Sequence, residues 1–372
     1  MLKSKTEIAQ LFDEKNPFTL KNGQTLKSVN VAYETYGKLN SNGDNAILIC
    51  HALTGDAHAA GQTELSPDVL KAIPFYKVKK PDQRGWWDGL IGPGKALDTN
   101  RYFVVCANIL GSCYGTTGPA SVNPKTGRLY GPEFPAITVR DMVHLQKKLV
   151  GYLGIKQLVT VIGGSLGGMM TLEWGIRYPE LMQSIIPIAA PAAHSAWAIG
   201  FNHLARQAVT NDPQWQNGYY THQPKRGLAL ARQIAMISYR THQSFQNRFG
   251  RRLQEADRDD FFQVESYLTY QGNKLVARFD ANSMMTLTRA MDTHDVGLGR
   301  GGIESALSGV KAKTLSIGID SDVLYPVIEQ KEIARLVPDG IYREIHSING
   351  HDAFLIEYDQ LNTLVGEFLK GI

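Results

Sequence analysis

Short apolar runs recur along the chain, and amphipathic stretches separate several of them. Val29–Tyr36 alternates apolar and polar positions and reads as an early strand. Ala46–Cys50 and residues 103–106 are continuously apolar, the pattern of strands covered on both faces. Residues 158–162, 184–189, 314–319 and 342–346 complete the expected strands. A helix is predicted to start near Thr138, with Asp141 three residues on as its capping partner. Met142, Leu145, Leu149 and Leu153 would line its apolar face. Strand and helix in alternation predict an α/β fold built on a mostly parallel, doubly wound sheet.

The rhythm breaks between residues 192 and 308. That stretch is rich in Gln, Arg, Asn and Met, carries no comparable strand runs, and reads as helix over 227–239. The glycine-rich segment 297–302 then returns the chain to the sheet pattern, which resumes at Thr314. The expected organisation is a core domain from residues 1–191 and 309–372, with 192–308 inserted as a helical lid over one end of the sheet.

Composition changes this picture little. With 372 residues, 43% hydrophobic and 20% charged, the chain can bury a large core. A net charge of +4 over that length points to neither nucleic acid nor an anionic membrane as a partner. The cluster Lys77-Val78-Lys79-Lys80 reads as a solvated loop. Three cysteines, Cys50, Cys106 and Cys113, give no disulfide framework, and the apolar settings of the first two predict buried free thiols. The first residues lack an apolar signal core, and no run approaches the roughly 20 apolar residues that span a bilayer. A cytoplasmic protein is expected.

The candidate chemistry starts at Gly163-Gly164-Ser165-Leu166-Gly167, which fits G-x-S-x-G. Such strings are common in loops, but here an apolar strand precedes it and a helical stretch, 168–174, follows. That is the setting of a nucleophile elbow. Glycines two residues either side of the serine would relieve a sharp turn. Ser165 would then stand at a helix N-terminus, where free N–H groups and the helix dipole favour negative charge. The dinucleotide-binding string G-x-G-x-x-G is not matched.

A serine hydroxyl is a poor nucleophile until a base takes its proton. On such a sheet the acid and then the histidine follow the serine, each on a loop after a late strand. Asp320 and Asp322 both follow the strand at 314–319, and spacing alone does not separate them. His351 follows Gly350 in a loop, whereas His346 closes a strand and reads as structural. Acyl chemistry also needs donors for an oxyanion. The candidates are the backbone N–H groups of Leu166 and of Leu53, the latter in His51-Ala52-Leu53-Thr54-Gly55. The side chain of His51 is expected only to pack. No H-E-x-x-H string or Cys/His cluster is present, so no catalytic metal is expected.

These residues sit among further strings. Tyr33-Glu34-Thr35-Tyr36-Gly37, Gly85-Trp86-Trp87-Asp88, Ile91-Gly92-Pro93-Gly94-Lys95 and Gly118-Pro119-Ala120-Ser121 precede the elbow. Ala205-Arg206-Gln207-Ala208, Phe279-Asp280-Ala281-Asn282, Ser321-Asp322-Val323-Leu324-Tyr325-Pro326 and Gly350-His351-Asp352-Ala353-Phe354-Leu355 follow it. With them, nearly the whole chain resembles the homoserine O-acyltransferases, enzymes of methionine biosynthesis on the α/β-hydrolase fold. The resemblance places the triad on Ser165, Asp322 and His351, and so chooses Asp322 over Asp320. It places substrate contacts on Arg232, Tyr239 and Asp352. A zwitterionic acceptor needs a cation for its carboxylate and an anion for its ammonium, and Arg232 and Asp352 suit those tasks. By itself, Arg232 reads as a surface arginine on a helix.

The resemblance implies transfer of an acyl group from acyl-CoA to the hydroxyl of L-homoserine through an acyl-serine. It further implies no permanently bound cofactor and a homodimer formed through the helical insertion. Succinyl-transferring relatives typically carry an arginine two residues after the triad aspartate. Here that position is Leu324, which offers no cation to a buried carboxylate, so acetyl-CoA is the expected co-substrate. The alternatives are succinyl transfer, transfer to serine, and a plain serine esterase, which would have no need of Arg232 and Asp352.

Overall fold

The computed structural model describes residues 2–80, 82–255 and 260–372. Its main sheet has eight strands: β1 (Glu7–Phe12), β2 (Val29–Tyr36), β3 (Ala46–Cys50), β4 (Phe103–Ala107), β5 (Leu158–Gly164), β6 (Met182–Ile188), β7 (Lys313–Ile319) and β8 (Gly340–Ile345). Their order across the sheet is β8-β7-β6-β5-β3-β4-β2-β1. The six strands from β8 to β4 run parallel, while β2 pairs antiparallel with β4, and β1 antiparallel with β2. Every residue of β3 and β5 is buried, as their largely apolar sequences lead one to expect. β1 was not expected. Its sequence, Glu-Ile-Ala-Gln-Leu-Phe, mixes charge into a short edge strand and leaves a weak apolar signal.

Helices α1 (Val139–Tyr152) and α2 (Leu166–Arg177) follow β4 and β5. The expected capping box starts α1: the Asp141 carboxylate accepts the Thr138 N–H at 2.8 Å, and the Thr138 hydroxyl accepts the Asp141 N–H at 3.3 Å. Between β6 and β7 the chain is helical: α3 (Ala196–Thr210), α4 (Lys225–Tyr239), α5 (His242–Arg248), α6 (Gln263–Arg278), α7 (Ala281–Asp292) and α8 (Ile303–Ser308). The glycine-rich return at 297–302 is held by Arg300. Its guanidinium grips buried Glu173 of α2 with two bonds of 2.9 and 2.7 Å, and Arg140 of α1 adds a third at 3.0 Å. Helices α9 (Val327–Leu336) and α10 (Tyr358–Leu369) complete the core.

The three cysteines are free and buried. Lys77, Val78 and Lys80 of the lysine cluster are exposed as expected, and Lys79 alone departs from that reading. Lys79 places its ammonium 2.6 Å from Asp56, with only 10% of its side chain exposed, and stacks over Tyr76. Among the described residues, no helix is long and apolar enough to cross a membrane.

Candidate active site

The turn from β5 to α2 carries Ser165 with φ 59° and ψ −124°, a strained conformation for a residue with a side chain. Glycine is required around it because the backbone of β3 lies against the turn. A Cβ on Gly163 or Gly167 would come within 2.5 or 2.0 Å of the Cys50 carbonyl oxygen. A Cβ on Gly164 would strike the ring of Phe354 at 2.6 Å, so the elbow touches the turn that carries His351. Among the described residues no hydrogen-bond partner takes the Ser165 hydroxyl, which faces a narrow pocket.

Two aspartates that spacing could not separate are separated by their partners. Asp322 puts Oδ2 at 2.7 Å from His351 Nδ1, while its Oδ1 accepts the backbone N–H groups of Leu324 and Tyr325 at 2.8 and 3.0 Å. Asp320 pairs instead with His346, at 3.1 Å and in the open, with 73% of the histidine side chain exposed. His351 is buried among the rings of Tyr325, Tyr239 and Phe354, with centroids 5.1, 5.7 and 5.6 Å away. Burial opposes charge on the imidazole, but the Asp322 charge and hydrogen bond, with help from Asp352, outweigh it and raise its pKa. With Nδ1 held by Asp322, the proton-accepting nitrogen is Nε2, which makes no hydrogen bond with the described residues.

The two candidate oxyanion donors are likewise unoccupied. Among the described residues, neither Leu53 N–H nor Leu166 N–H donates to a carbonyl or a side chain. His51 does more than pack. It is fully buried, and its Nε2 lies 3.2 Å from the Ile109 nitrogen and 3.1 Å from Asn108 Oδ1. Nδ1 donates at 2.8 Å to the carbonyl of Ala52, the other half of the peptide that carries Leu53 N–H. Burial holds the pKa of His51 down, against the pull of that hydrogen bond, of Asp56 and of the Asn108 contact.

The pocket before Ser165 is lined by Leu53, His194, Tyr239, Leu324 and Tyr325, among others. Leu324 thus lines the same pocket as Ser165. Larger clefts of about 540 and 370 Å³ lie elsewhere, around Gly94, Lys95, Arg101 and Arg84, and none of the triad residues lines them.

Arg232 and Tyr239 come from α4, near the triad. Arg232 is not on the open surface: its guanidinium is half-buried 5.5 Å from the Tyr239 ring centroid, and makes no hydrogen bond or ion pair with the described residues. Burial lowers its pKa. The Tyr239 and Asp352 charges oppose that shift, and the positive charge of Arg278 adds to it. Asp352 has one oxygen 3.1 Å from Arg240 Nε, a contact that sequence reasoning missed. The end of α4 reaches the histidine turn through Gly350, whose φ is 65° and whose Cβ, if present, would lie 3.0 Å from the Tyr239 carbonyl. Sequence reasoning also missed Arg278, which no motif signalled. Among the described residues, no group of three or more His, Cys, Asp or Glu side chains is placed to hold a metal.

Comparison with known proteins follows this geometry closely. The family model for the alpha/beta hydrolase fold matches residues 45–358. A homoserine O-acetyltransferase of Moorella thermoacetica is 52% identical over 365 residues, covering 95% of this chain and 93% of its own. One from Chloroherpeton thalassium is 48% identical and covers 99% and 90%. Among solved structures, homoserine O-acetyltransferase from Bacillus anthracis superposes with a TM-score of 0.88 at 33% identity, over 99% and 98% of the two chains. Esterase E22 superposes at 0.87 with 29% identity, over 98% and 100%. Identity near one half, sustained from end to end, decides between these neighbours: the chain belongs to the homoserine O-acetyltransferase family, on the α/β-hydrolase fold.

Proposed function

We propose that this protein transfers the acetyl group of acetyl-CoA to the hydroxyl of L-homoserine, in two displacements through acetyl-Ser165. His351 Nε2 takes the Ser165 proton as the oxygen attacks the thioester carbon. The N–H groups of Leu53 and Leu166 receive the oxyanion. The C–S bond breaks and CoA leaves with the proton. Homoserine then enters, His351 takes its hydroxyl proton, and the new ester forms as Ser165 recovers its hydrogen. Asp322 orients the imidazole and stabilises its cation. Tyr239 forms the wall between His351 and Arg232.

The observation that carries this reading over an esterase is Arg232, a half-buried guanidinium with no hydrogen-bond or ion-pair partner among the described residues, close to the triad. Leaving a half-buried cation unpaired is costly, and an acceptor carboxylate would satisfy it bidentately. Asp352 supplies the opposite charge for the ammonium. Leu324 gives the acyl end an apolar wall, which supports acetyl over succinyl.

Residues 192–308 act in this scheme as a lid insertion on the core of 1–191 and 309–372, excluding water from the acyl-enzyme. The setting is a cytoplasmic homodimer serving methionine biosynthesis, with acetyl-CoA as co-substrate and no resident cofactor. The test is a product assay with acetyl-CoA and succinyl-CoA against homoserine, serine and water. O-acetylhomoserine should dominate. Preferential release of acetate, or equal use of serine, would overturn the assignment.

A further inference from the structure

The loop that offers Leu53 N–H to the oxyanion is held from two sides. On the core side, His51 Nδ1 and Gly55 N–H both donate to the Ala52 carbonyl, at 2.8 and 2.9 Å. On the other side is Arg278, the last residue of α6, in the helical stretch between β6 and β7. Its Nη1 donates to the Thr54 carbonyl at 2.7 Å, and its Nη2 reaches the Thr54 hydroxyl at 3.2 Å. Thr54 is the residue immediately after Leu53.

The arginine is itself fixed. Nη1 also donates to the Tyr114 hydroxyl at 2.8 Å, and that hydroxyl donates back to the Arg278 carbonyl at 2.7 Å. Tyr114 is buried, and the ring of Phe279, next to Arg278 in sequence, packs edge-on against it at 5.8 Å. A cation at the end of a helix also meets the negative end of its dipole. The fork of a guanidinium, unlike a flexible ammonium, fixes direction as well as distance.

We infer that Arg278 is a positioning residue for the oxyanion site: from the helical insertion it clamps Thr54 and so sets the orientation of the Leu53 N–H. The inference rests on the acyl-Ser165 reading above and goes beyond it in tying the insertion to the first chemical step. Oxyanion donors must stand where charge develops, and a displaced donor loses most of its effect. The insertion would thus complete the site for both half-reactions, and not only admit the acceptor. Arg278 also lies close enough to Arg232 for their charges to oppose. A second role, as a cation for the acceptor carboxylate, would therefore be a rival explanation of any loss of activity.

A trifluoromethyl ketone analogue of acetyl-CoA separates these readings. Ser165 adds to its carbonyl carbon, and the resulting hemiketal oxyanion needs the Leu53 donor but no homoserine. Inhibition constants for the ketone and for free CoA should be measured in wild type, Arg278→Met, Arg278→Lys and Thr54→Val. The clamp predicts that Arg278→Met weakens the ketone by about 10- to 1,000-fold while leaving CoA binding unchanged. Arg278→Lys should recover part of the loss, and the isosteric Thr54→Val should show a smaller loss of the same kind. Thr54→Val keeps the test alive if Arg278→Met does not fold. Unchanged ketone binding in the folded Arg278 variants, or in Thr54→Val should those not fold, would overturn the clamp. So would a loss confined to the KM for homoserine. If wild type forms no hemiketal, the Ser165 reading falls and the clamp with it.

Discussion

Three of the carboxylate–histidine contacts among the described residues use the same groups for different ends. Asp320 and His346 meet at 3.1 Å on the surface. Glu34 and His58 meet at 3.0 Å in the interior, both fully buried. Asp322 and His351 meet at 2.7 Å, and Phe354 of the histidine turn lies against Gly164 of the elbow. Burial separates the first from the other two, and the free nitrogen separates the last from the second. His58 Nε2 is turned to the Gln83 carbonyl at 3.3 Å, and Glu34 is further saturated by the hydroxyls of Ser4, Thr6 and Tyr36. That cluster is closed and pins the N-terminal segment to the sheet. His351 has one nitrogen fixed and one open, which is what a general base requires.

The largest effect should come from breaking the catalytic pair. Asp322→Asn should lower kcat by roughly 10⁴-fold, since the amide favours the wrong imidazole tautomer. The same pair sets the acid side of the pH profile. The raised pKa of His351 means that kcat/KM for acetyl-CoA falls as pH drops through a value above that of an ordinary histidine. In Asp322→Asn the midpoint should move to lower pH, and a profile with an unmoved midpoint would count against the base assignment.

The closed cluster should show its importance in stability. Glu34→Gln leaves a buried histidine and three hydroxyls facing an amide, and should cost about 3–5 kcal/mol in denaturant unfolding. Burial pushes the Glu34 pKa up, but the hydrogen bond and charge of His58, with the hydroxyls of Ser4 and Thr6, overcome it and leave the value lowered to about 2. A carboxylate depressed in the folded state stabilises above its unfolded pKa and loses that contribution as pH falls through the folded one. Stability tied to Glu34 should therefore decline between roughly pH 4 and pH 2 in wild type. The Gln variant should lack this component, and superimposable acid-unfolding curves would contradict it.

Arg232→Ala should weaken use of homoserine by about 2–5 kcal/mol in kcat/KM while the acylation half-reaction proceeds unchanged. Equal losses in both half-reactions would move Arg232 out of the acceptor site. Leu324→Arg should shift donor preference from acetyl-CoA towards succinyl-CoA, read as the ratio of the two kcat/KM values. An unmoved ratio would leave Leu324 as packing alone. The smallest effect belongs to the exposed pair: Asp320→Asn should alter stability by no more than about 1 kcal/mol and spare activity.

The sheet was legible because its central strands are buried on both faces and therefore read as unbroken apolar runs. The elbow was legible because strand, glycines and helix coincide at Ser165. The choice between Asp320 and Asp322 was not legible from spacing, since both follow the same strand and only their burial and their partners distinguish them. Arg232 could be assigned only by resemblance: one arginine on an amphipathic helix looks like any other, and its role depends on which helix face meets the core. Arg240 and Arg278 gave no signal for the same reason, because their partners lie more than 100 residues away in sequence. The exposed look of Lys79 misled because its carboxylate, Asp56, is supplied by a different loop.

If the open nitrogen of the buried pair serves Ser165, acetyl-CoA alone should acylate the enzyme. Wild-type protein is mixed briefly with acetyl-CoA alone, and the intact mass is read before any acceptor is added. The expected result is a single added acetyl group that peptide mapping places on Ser165, formed slowly in Asp322→Asn, absent in Ser165→Ala, and discharged on adding homoserine. Full turnover with no adduct on wild type, or an adduct that survives Ser165→Ala, would contradict it.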